Sequence, residues 1–259
     1  MTYDPAISLR IINNQRLMRA THRGEYRDLG GALAITSDAP IAAWNCIEAF
    51  TTDKQRIESL LDVGFGLLRA FDQPPAVRVT PLDRPVDIGS RLSQRRLTQR
   101  AHMTSMFLRG DPVNPRSNSN IAVRVATPDD AVTYATVEAQ VMGSKARWAK
   151  GFLLGAALAN VLEENHTFYI AHAGEESIGT ALVIRADDVA GLYSFSTLKA
   201  HRGNGVATTL AARAIADARR DGALLICVEC ETDSSSMRLF AALGFETAHE
   251  SSLWVGDLI

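Results

Sequence analysis

Along residues 121–259, apolar and polar positions follow a regular succession of periods. Residues 121–126 (IAVRVA) alternate, as a half-buried strand does. Thr127-Pro128-Asp129-Asp130 reads as a helix start, with a capping hydroxyl, proline at the first helical position and acids beside the positive end of the helix dipole. Tyr134, Val137 and Val141 follow at helical spacing, and a second helix is expected over 146–162. Strand-like runs come next at 167–173, 178–185 and 191–198, with turns at 174–177 and 187–188. Over 206–220, Val206, Leu210, Ala214 and Ala218 share one helical face, and Arg213, Asp217 and Arg220 lie elsewhere. A strand at 224–229, a short helix at 234–243 stopped by Gly244, and a strand at 245–254 complete the half. This is an α/β order with mostly antiparallel strands around one parallel crossover.

The first half shows a shorter version. Strands are predicted at 32–36 and 41–50, and a helix over 53–71 with Ile57, Leu60, Leu61, Leu68 and Phe71 on its apolar face. A strand at 76–80, a helix at 87–97 and a strand at 102–108 follow. This β-β-α-β-α-β order matches the last six elements of the second half without sequence identity of note. A degenerate duplication explains it, and so does coincidence between two common patterns. The intervening 109–120 (RGDPVNPRSNSN) has no apolar period and reads as a surface linker. The expected division is an α/β unit at 1–110, a linker at 111–120 and a second α/β unit at 121–259.

Composition narrows the classes. The chain has 259 residues, 46% hydrophobic and 22% charged, as expected of a folded α/β protein and not of a disordered one. A net charge of −2 argues against a nucleic-acid binder. Residues 1–120 hold 16 Lys+Arg against 12 Asp+Glu, and residues 121–259 hold 11 against 17, so the halves differ in sign. No secretory leader or membrane span is expected, and three sparse cysteines (Cys46, Cys227, Cys230) suit a reducing compartment, so a cytoplasmic protein is expected.

The segment 196–207, STLKAHRGNGVA, carries the chemistry. A strand ends near Leu198, a basic glycine-bearing loop follows, and a helix begins near Gly205. Gly203 and Gly205 allow a tight turn and close approach of a ligand. The N–H groups of Asn204 to Ala207 leave the helix N-terminus where its dipole is positive, with Arg202 beside them. A diphosphate is the natural partner. A dinucleotide fingerprint would need a third glycine where Thr208 stands, and the Gly-Lys-Ser/Thr of a P-loop is absent.

HRGNGVATTL at 201–210, followed by a strand and then SMRLFAALGF at 236–245, resembles the GNAT-type acetyl-CoA-dependent N-acetyltransferases over roughly 121–259. The resemblance implies an acyl-CoA N-acyltransferase fold, a mixed and mostly antiparallel sheet flanked by helices, with 1–110 a smaller α/β unit of degenerate GNAT-like order. It implies that Arg202, Gly203, Asn204, Gly205, Val206 and Ala207 wrap the coenzyme A pyrophosphate. Ser196, Thr197 and Leu198 would pair with the pantetheine arm, and a backbone N–H there would polarise the thioester carbonyl. Asp233 stands where the family often has asparagine facing the pantetheine, with Ser234 and Ser235 beside it. Phe240 stands where the family often has the tyrosine that protonates the leaving thiolate, and a phenyl ring donates no proton. The implied partner is an amine of a small molecule or peptide, acetylated by direct attack, with no metal, nucleic acid or membrane. A non-catalytic acyl-CoA-binding or regulatory module is the alternative that Phe240 keeps open.

A base would free the amine lone pair. Glu229 and Glu231 share a strand face near the site, where they serve either as that base or as solvated carboxylates. Cys227 and Cys230 spell C-x-x-C, but strand residues three apart face opposite sides, so core cysteines or surface bystanders are expected. His166, His172 and His201 read as ordinary strand and loop histidines. Arg91, Arg95, Arg96 and Arg100 form a basic face, either solvated or set against the acidic second half. The first-half counterpart of the glycine loop, Thr51-Thr52-Asp53-Lys54, lacks glycine and carries an acid, so it is expected not to bind the coenzyme and to pack on or wall the acceptor pocket.

Overall fold

The first element is one that the apolar pattern does not announce. In the computed structural model, which describes residues 4–21, 24–113, 117–143 and 147–257, Pro5–Thr21 forms helix α1. Its buried side includes Ser8, Asn14, Gln15, Arg19 and Thr21 beside Ile7, Ile11 and Ile12. Buried polar groups need partners, and α1 finds them far along the chain. Asn14 Nδ2 donates to the Ile184 carbonyl at 3.0 Å, Gln15 Nε2 to Ser105 Oγ at 2.9 Å and Arg19 Nη2 to Glu48 Oε2 at 2.8 Å. A Cβ at Gly191 would overlap Asn14 Oδ1, so glycine there lets the helix seat.

The first half continues with β1 (Glu25–Asp28), β2 (Leu33–Thr36), β3 (Cys46–Glu48), α2 (Ile57–Ala70), β4 (Ala76–Val79), α3 (Ile88–Gln94) and β5 (Thr98–Leu108). The strand predicted over 41–50 is a single 3₁₀ turn, Ala42–Trp44, and the short β3. Buried Asn45 causes the break: its side chain accepts from Ser37 N and donates to the Ala39 and Ile41 carbonyls, a turn that a strand cannot make. The edge strand β1, mostly exposed, was not signalled by any apolar alternation.

The second half supplies β6 (Ala122–Val125), α4 (Ala131–Met142), α5 (Arg147–Asn160), β7 (His166–Ala173), β8 (Glu176–Ala186), β9 (Val189–Thr197), α6 (Val206–Arg220), β10 (Leu225–Glu231), α7 (Ser235–Ala242) and β11 (Glu246–Val255). Thr127 and Asp130 form the reciprocal capping box ahead of α4. Of the predicted linker, 114–116 lie outside the described residues. Its flanks are tied down: Val113 N donates to the Leu243 carbonyl and Asn118 Nδ2 to the Asn204 carbonyl.

All eleven strands form one sheet in the order β1-β2-β3-β4-β11-β5-β10-β9-β8-β7-β6. The order reads alike from either side of the central antiparallel pair β11–β5. β3 and β4 are parallel, as are β9 and β10; β4–β11 and β10–β5 are antiparallel. Each half therefore places its last strand beside the penultimate strand of the other half. This is the mixed, mostly antiparallel α/β architecture expected, with an N-terminal unit that repeats the second half's order. Helices α1, α4 and α5 cover one face of the sheet, and α2, α3, α6 and α7 the other.

Arg91 and Arg95 of the basic face pair with Glu58, Asp62 and Asp87, carboxylates of their own half. Cys227 faces α1 and Cys230 faces α6, on opposite sides of β10. Among the described residues, no helix is long and apolar enough to cross a membrane.

Candidate active site

Parallel strands β9 and β10 pair from Val189 and Leu225 only as far as Leu192 and Val228. Beyond that point Ser194 adopts a positive φ of 52°, and the β8–β9 register slips between Thr180 and Leu182. Such a bulge bends a strand away from its neighbour, and a gap opens between β9 and β10. Two cavities meet in it. One, of about 670 Å³, lies on the α6/α7 side. The other, of about 580 Å³, lies on the α1/α4 side. Phe195, Ser235, Ser236 and Phe240 line both, so a ligand arm threaded through the gap would present its end to the second cavity.

The glycine loop borders the first cavity. Gly203 and Gly205 have φ of 82° and 83°, the left-handed region that L side chains avoid. Gly205 is the N-cap of α6, and no side chain caps this terminus. The first-turn N–H groups of Val206 and Ala207 have no intrahelical acceptor and border the cavity, beside Arg202. The Asn204 N–H, expected to be free, donates instead to the His201 carbonyl. His201 borders the same cavity and pairs with Glu176.

The predicted coenzyme residues are distributed around this gap. Thr197, Arg202, Gly203, Gly205, Val206 and Ala207 line the first cavity; Ser196 and Ser234 line the second; Phe240 lines both. Leu198, Asn204 and Asp233 line neither. The Leu198 N–H is engaged by the Ile178 carbonyl, and Ser234 caps α7 by accepting from Met237 N. Phe240 is buried, edge-on to Phe195 and Phe245.

Three carboxylates line the second cavity: Glu138, Glu229 and Glu231. Arg78 Nη1, reaching from β4, donates to Glu229 Oε1 at 2.9 Å, and both side chains are nearly buried. Glu231 is exposed at the end of β10. Glu138, on α4, is 6% exposed, and burial pushes its carboxyl up to about 8, the Ser194 and Tyr134 hydroxyls offsetting part of the shift. Met18 of α1 and Trp44 of the 3₁₀ turn complete the wall from the first half, and Trp44 stacks on Phe152 of α5 at 5.3 Å. Glu138 was not singled out by the sequence, because an acid one turn after Tyr134 looks like any solvated helix position.

At the equivalent loop of the first half, Asp53 Oδ1 accepts from Gln55 N and Arg56 N, both at 2.9 Å. The chain's own carboxylate occupies those N–H groups, whereas in the second half no side chain caps α6.

Comparison with known proteins bears on the fold and on part of the second half. Residues 140–245 match the Acetyltransferase (GNAT) family. This match lies wholly within the second half. Three solved structures share the fold along nearly the whole chain. A GCN5-related N-acetyltransferase from Kribbella flavida is 15% identical with a TM-score of 0.72, covering 95% of this chain and 94% of that one. A GCN5-related N-acetyltransferase from Sphaerobacter thermophilus is 16% identical with a TM-score of 0.65, covering 90% and 82%. A tandem GNAT protein from the clavulanic acid biosynthesis pathway is 14% identical with a TM-score of 0.64, covering 90% and 82%. No curated protein matches the sequence. The GNAT family supports an acyl-transfer function, its members generally use acetyl-CoA, and amines are its general acceptors. In this chain no side chain caps the helix that follows the loop at 202–207, and the first half contributes Met18 of α1, Trp44 and, through its bond to Glu229, Arg78 to the surroundings of the gap between β9 and β10.

Proposed function

We propose that the chain is an acetyl-CoA-dependent N-acetyltransferase whose acceptor is a primary amine on an apolar, ring-bearing small molecule. The observation that carries this reading is the gap between β9 and β10, where an uncapped helix N-terminus opens on one side and a buried carboxyl on the other. Val206 and Ala207 N–H groups and Arg202 would hold the coenzyme pyrophosphate. The edge of β9 beyond Leu192, without a strand partner, would pair with the pantetheine arm and turn an N–H toward the thioester oxygen. Trp44, Met18 and Phe195 would sandwich the apolar body of the acceptor. Glu138 would take the proton of the attacking ammonium, while Glu229 remains held by Arg78 and Glu231 steers cations at the mouth. No tyrosine stands at Phe240, so the coenzyme would leave as a thiolate, tolerable for a thiol that titrates at about 8.5.

Acetyl-CoA should raise the melting temperature of the full chain, and ring-bearing primary amines should then release free thiol faster than small aliphatic ones. Stabilisation without turnover on any amine would favour the non-catalytic acyl-CoA-binding module, the reading supported by Phe240. The absence of stabilisation would reject both.

Gly205→Glu should weaken acetyl-CoA binding by about 100-fold or more in titration calorimetry. It places a carboxylate against phosphate and forces an L residue into the left-handed region, at roughly 1–2 kcal/mol. Gly205→Ala keeps the backbone strain without the charge and should lose less. Equal affinities for wild type and Gly205→Glu would refute the loop assignment.

A further inference from the structure

Under α1, on the first-half side, lies a cavity of about 430 Å³ that acyl transfer does not use. Its volume is that of a small-molecule site. Leu9, Ile12, Leu33 and Phe50 give it an apolar wall, and Arg16, Arg19 and Arg78 a cationic one.

The polar atoms around it are unevenly engaged. Glu48 accepts from Arg16 Nε at 3.0 Å and Arg19 Nη2 at 2.8 Å. Burial alone would raise its carboxyl, but Arg19, Arg78 and Arg16 together hold it below its usual range. Asp83 accepts from Phe50 N at 2.7 Å and from Thr80 Oγ1 at 2.9 Å. Asp28, at the exposed rim, accepts from Gly30 N at 2.7 Å. The acceptors nearby are thus occupied. The donors are not: Arg19 Nη1 and Arg78 Nε are buried and have no hydrogen-bond partner among the described residues, and Arg19 as a whole is 1% exposed. Unpaired buried guanidinium N–H groups call for an acceptor, and a carboxylate is the group that meets a guanidinium edge with two oxygens. Phosphate suits the place less, because a second negative charge would face Glu48.

We propose that this cavity binds a small monocarboxylate with an apolar body, its carboxylate on the Arg19 and Arg78 wall and its hydrocarbon against Leu9 and Phe50. The site is separate from the coenzyme gap, and one residue links it to the acceptor cavity: Arg78 lines this cavity and holds Glu229, which lines the other.

The test uses the full chain with hexanoate and phenylacetate as probes and the matching neutral amides as controls. The acids should raise the melting temperature at millimolar concentration, and the amides should not. Arg16→Gln and Leu9→Trp, at partly exposed positions, should each weaken acid binding about tenfold or more while leaving acetyl-CoA affinity unchanged. Gly205→Glu should still bind the acids. The proposal is overturned if acids and amides stabilise equally or not at all. It is also overturned if neither variant affects acid binding, or if the acids compete with acetyl-CoA, which would place them in the second-half gap.

Discussion

Glu138→Gln is expected to lower kcat by a factor on the order of 10²–10⁴, the range that a positioned general base supplies, with acetyl-CoA affinity unchanged. Wild-type kcat/KM should rise with pH and become less steep above about pH 8, where the buried carboxyl loses its proton. An alkylamine acceptor titrates well above that range, at about 10.4 for a lysine-like amine, so its own limb is separable. In the variant the limb near 8 should vanish and the amine's limb remain. Stability should move oppositely. A carboxyl raised in the folded state favours folding below its unfolded value and loses that contribution as pH climbs through the folded value, because the folded chain must then hold a buried charge. The amide introduced by Glu138→Gln carries no such charge, so the variant should gain stability over wild type between about pH 5 and pH 9. A purely structural Glu138 would show the same stability trend but leave kcat and the limb near pH 8 unaltered in the variant, and that result would remove Glu138 from the mechanism.

The fragment 121–259 expressed alone is expected not to fold and not to bind acetyl-CoA, although it contains the whole glycine loop. Both strand partners of β11, β4 and β5, belong to the first half, and β5 also covers the open edge of β10. The fragment would expose these edges together with the core face on which Met106 and Leu108 pack, and exposed strand edges template aggregation. It would also leave Glu229 without Arg78, an unpaired carboxylate where a buried pair stood. Circular dichroism and calorimetry would show little cooperative structure and no heat of binding. Co-expression with 1–120 should restore both. A soluble, folded fragment that binds acetyl-CoA as tightly as the full chain would show that the exchanged strands are dispensable.

The loop at 202–207 was legible because its requirements are local: two glycines at positive φ, an arginine and a helix start lie within a few residues of each other. The turn at Thr51–Lys54 has a local cause, Asp53 accepting from Gln55 N and Arg56 N, but the expectation that it walls the acceptor pocket misplaced it: none of the four lines the second cavity. Helix α1 was not legible, because the face it buries is polar. Asn14, Gln15 and Arg19 satisfy themselves on Ile184, Ser105 and Glu48, partners that no periodicity reveals. Glu138 escaped for a related reason: it is buried and meets the Ser194 hydroxyl, several elements further along the chain. The strands β5 and β11 were expected as strands, yet alternation says which side of a strand faces the core and not which strand lies beside it. The run over 41–50 misled because its apolar residues suit a strand, while buried Asn45 bonds a turn.

The exchange of β5 and β11 also bears on the order in which the molecule can be made. A nascent chain reaching residue 110 has synthesised β4 and β5, but their shared neighbour β11 is still unmade. Until residues 246–255 emerge, the first half is a sheet with its central seam missing, and its folding is non-local by construction. Such a protein has no finished intermediate to release halfway. Its two halves, however similar in strand order, are expected to become native together.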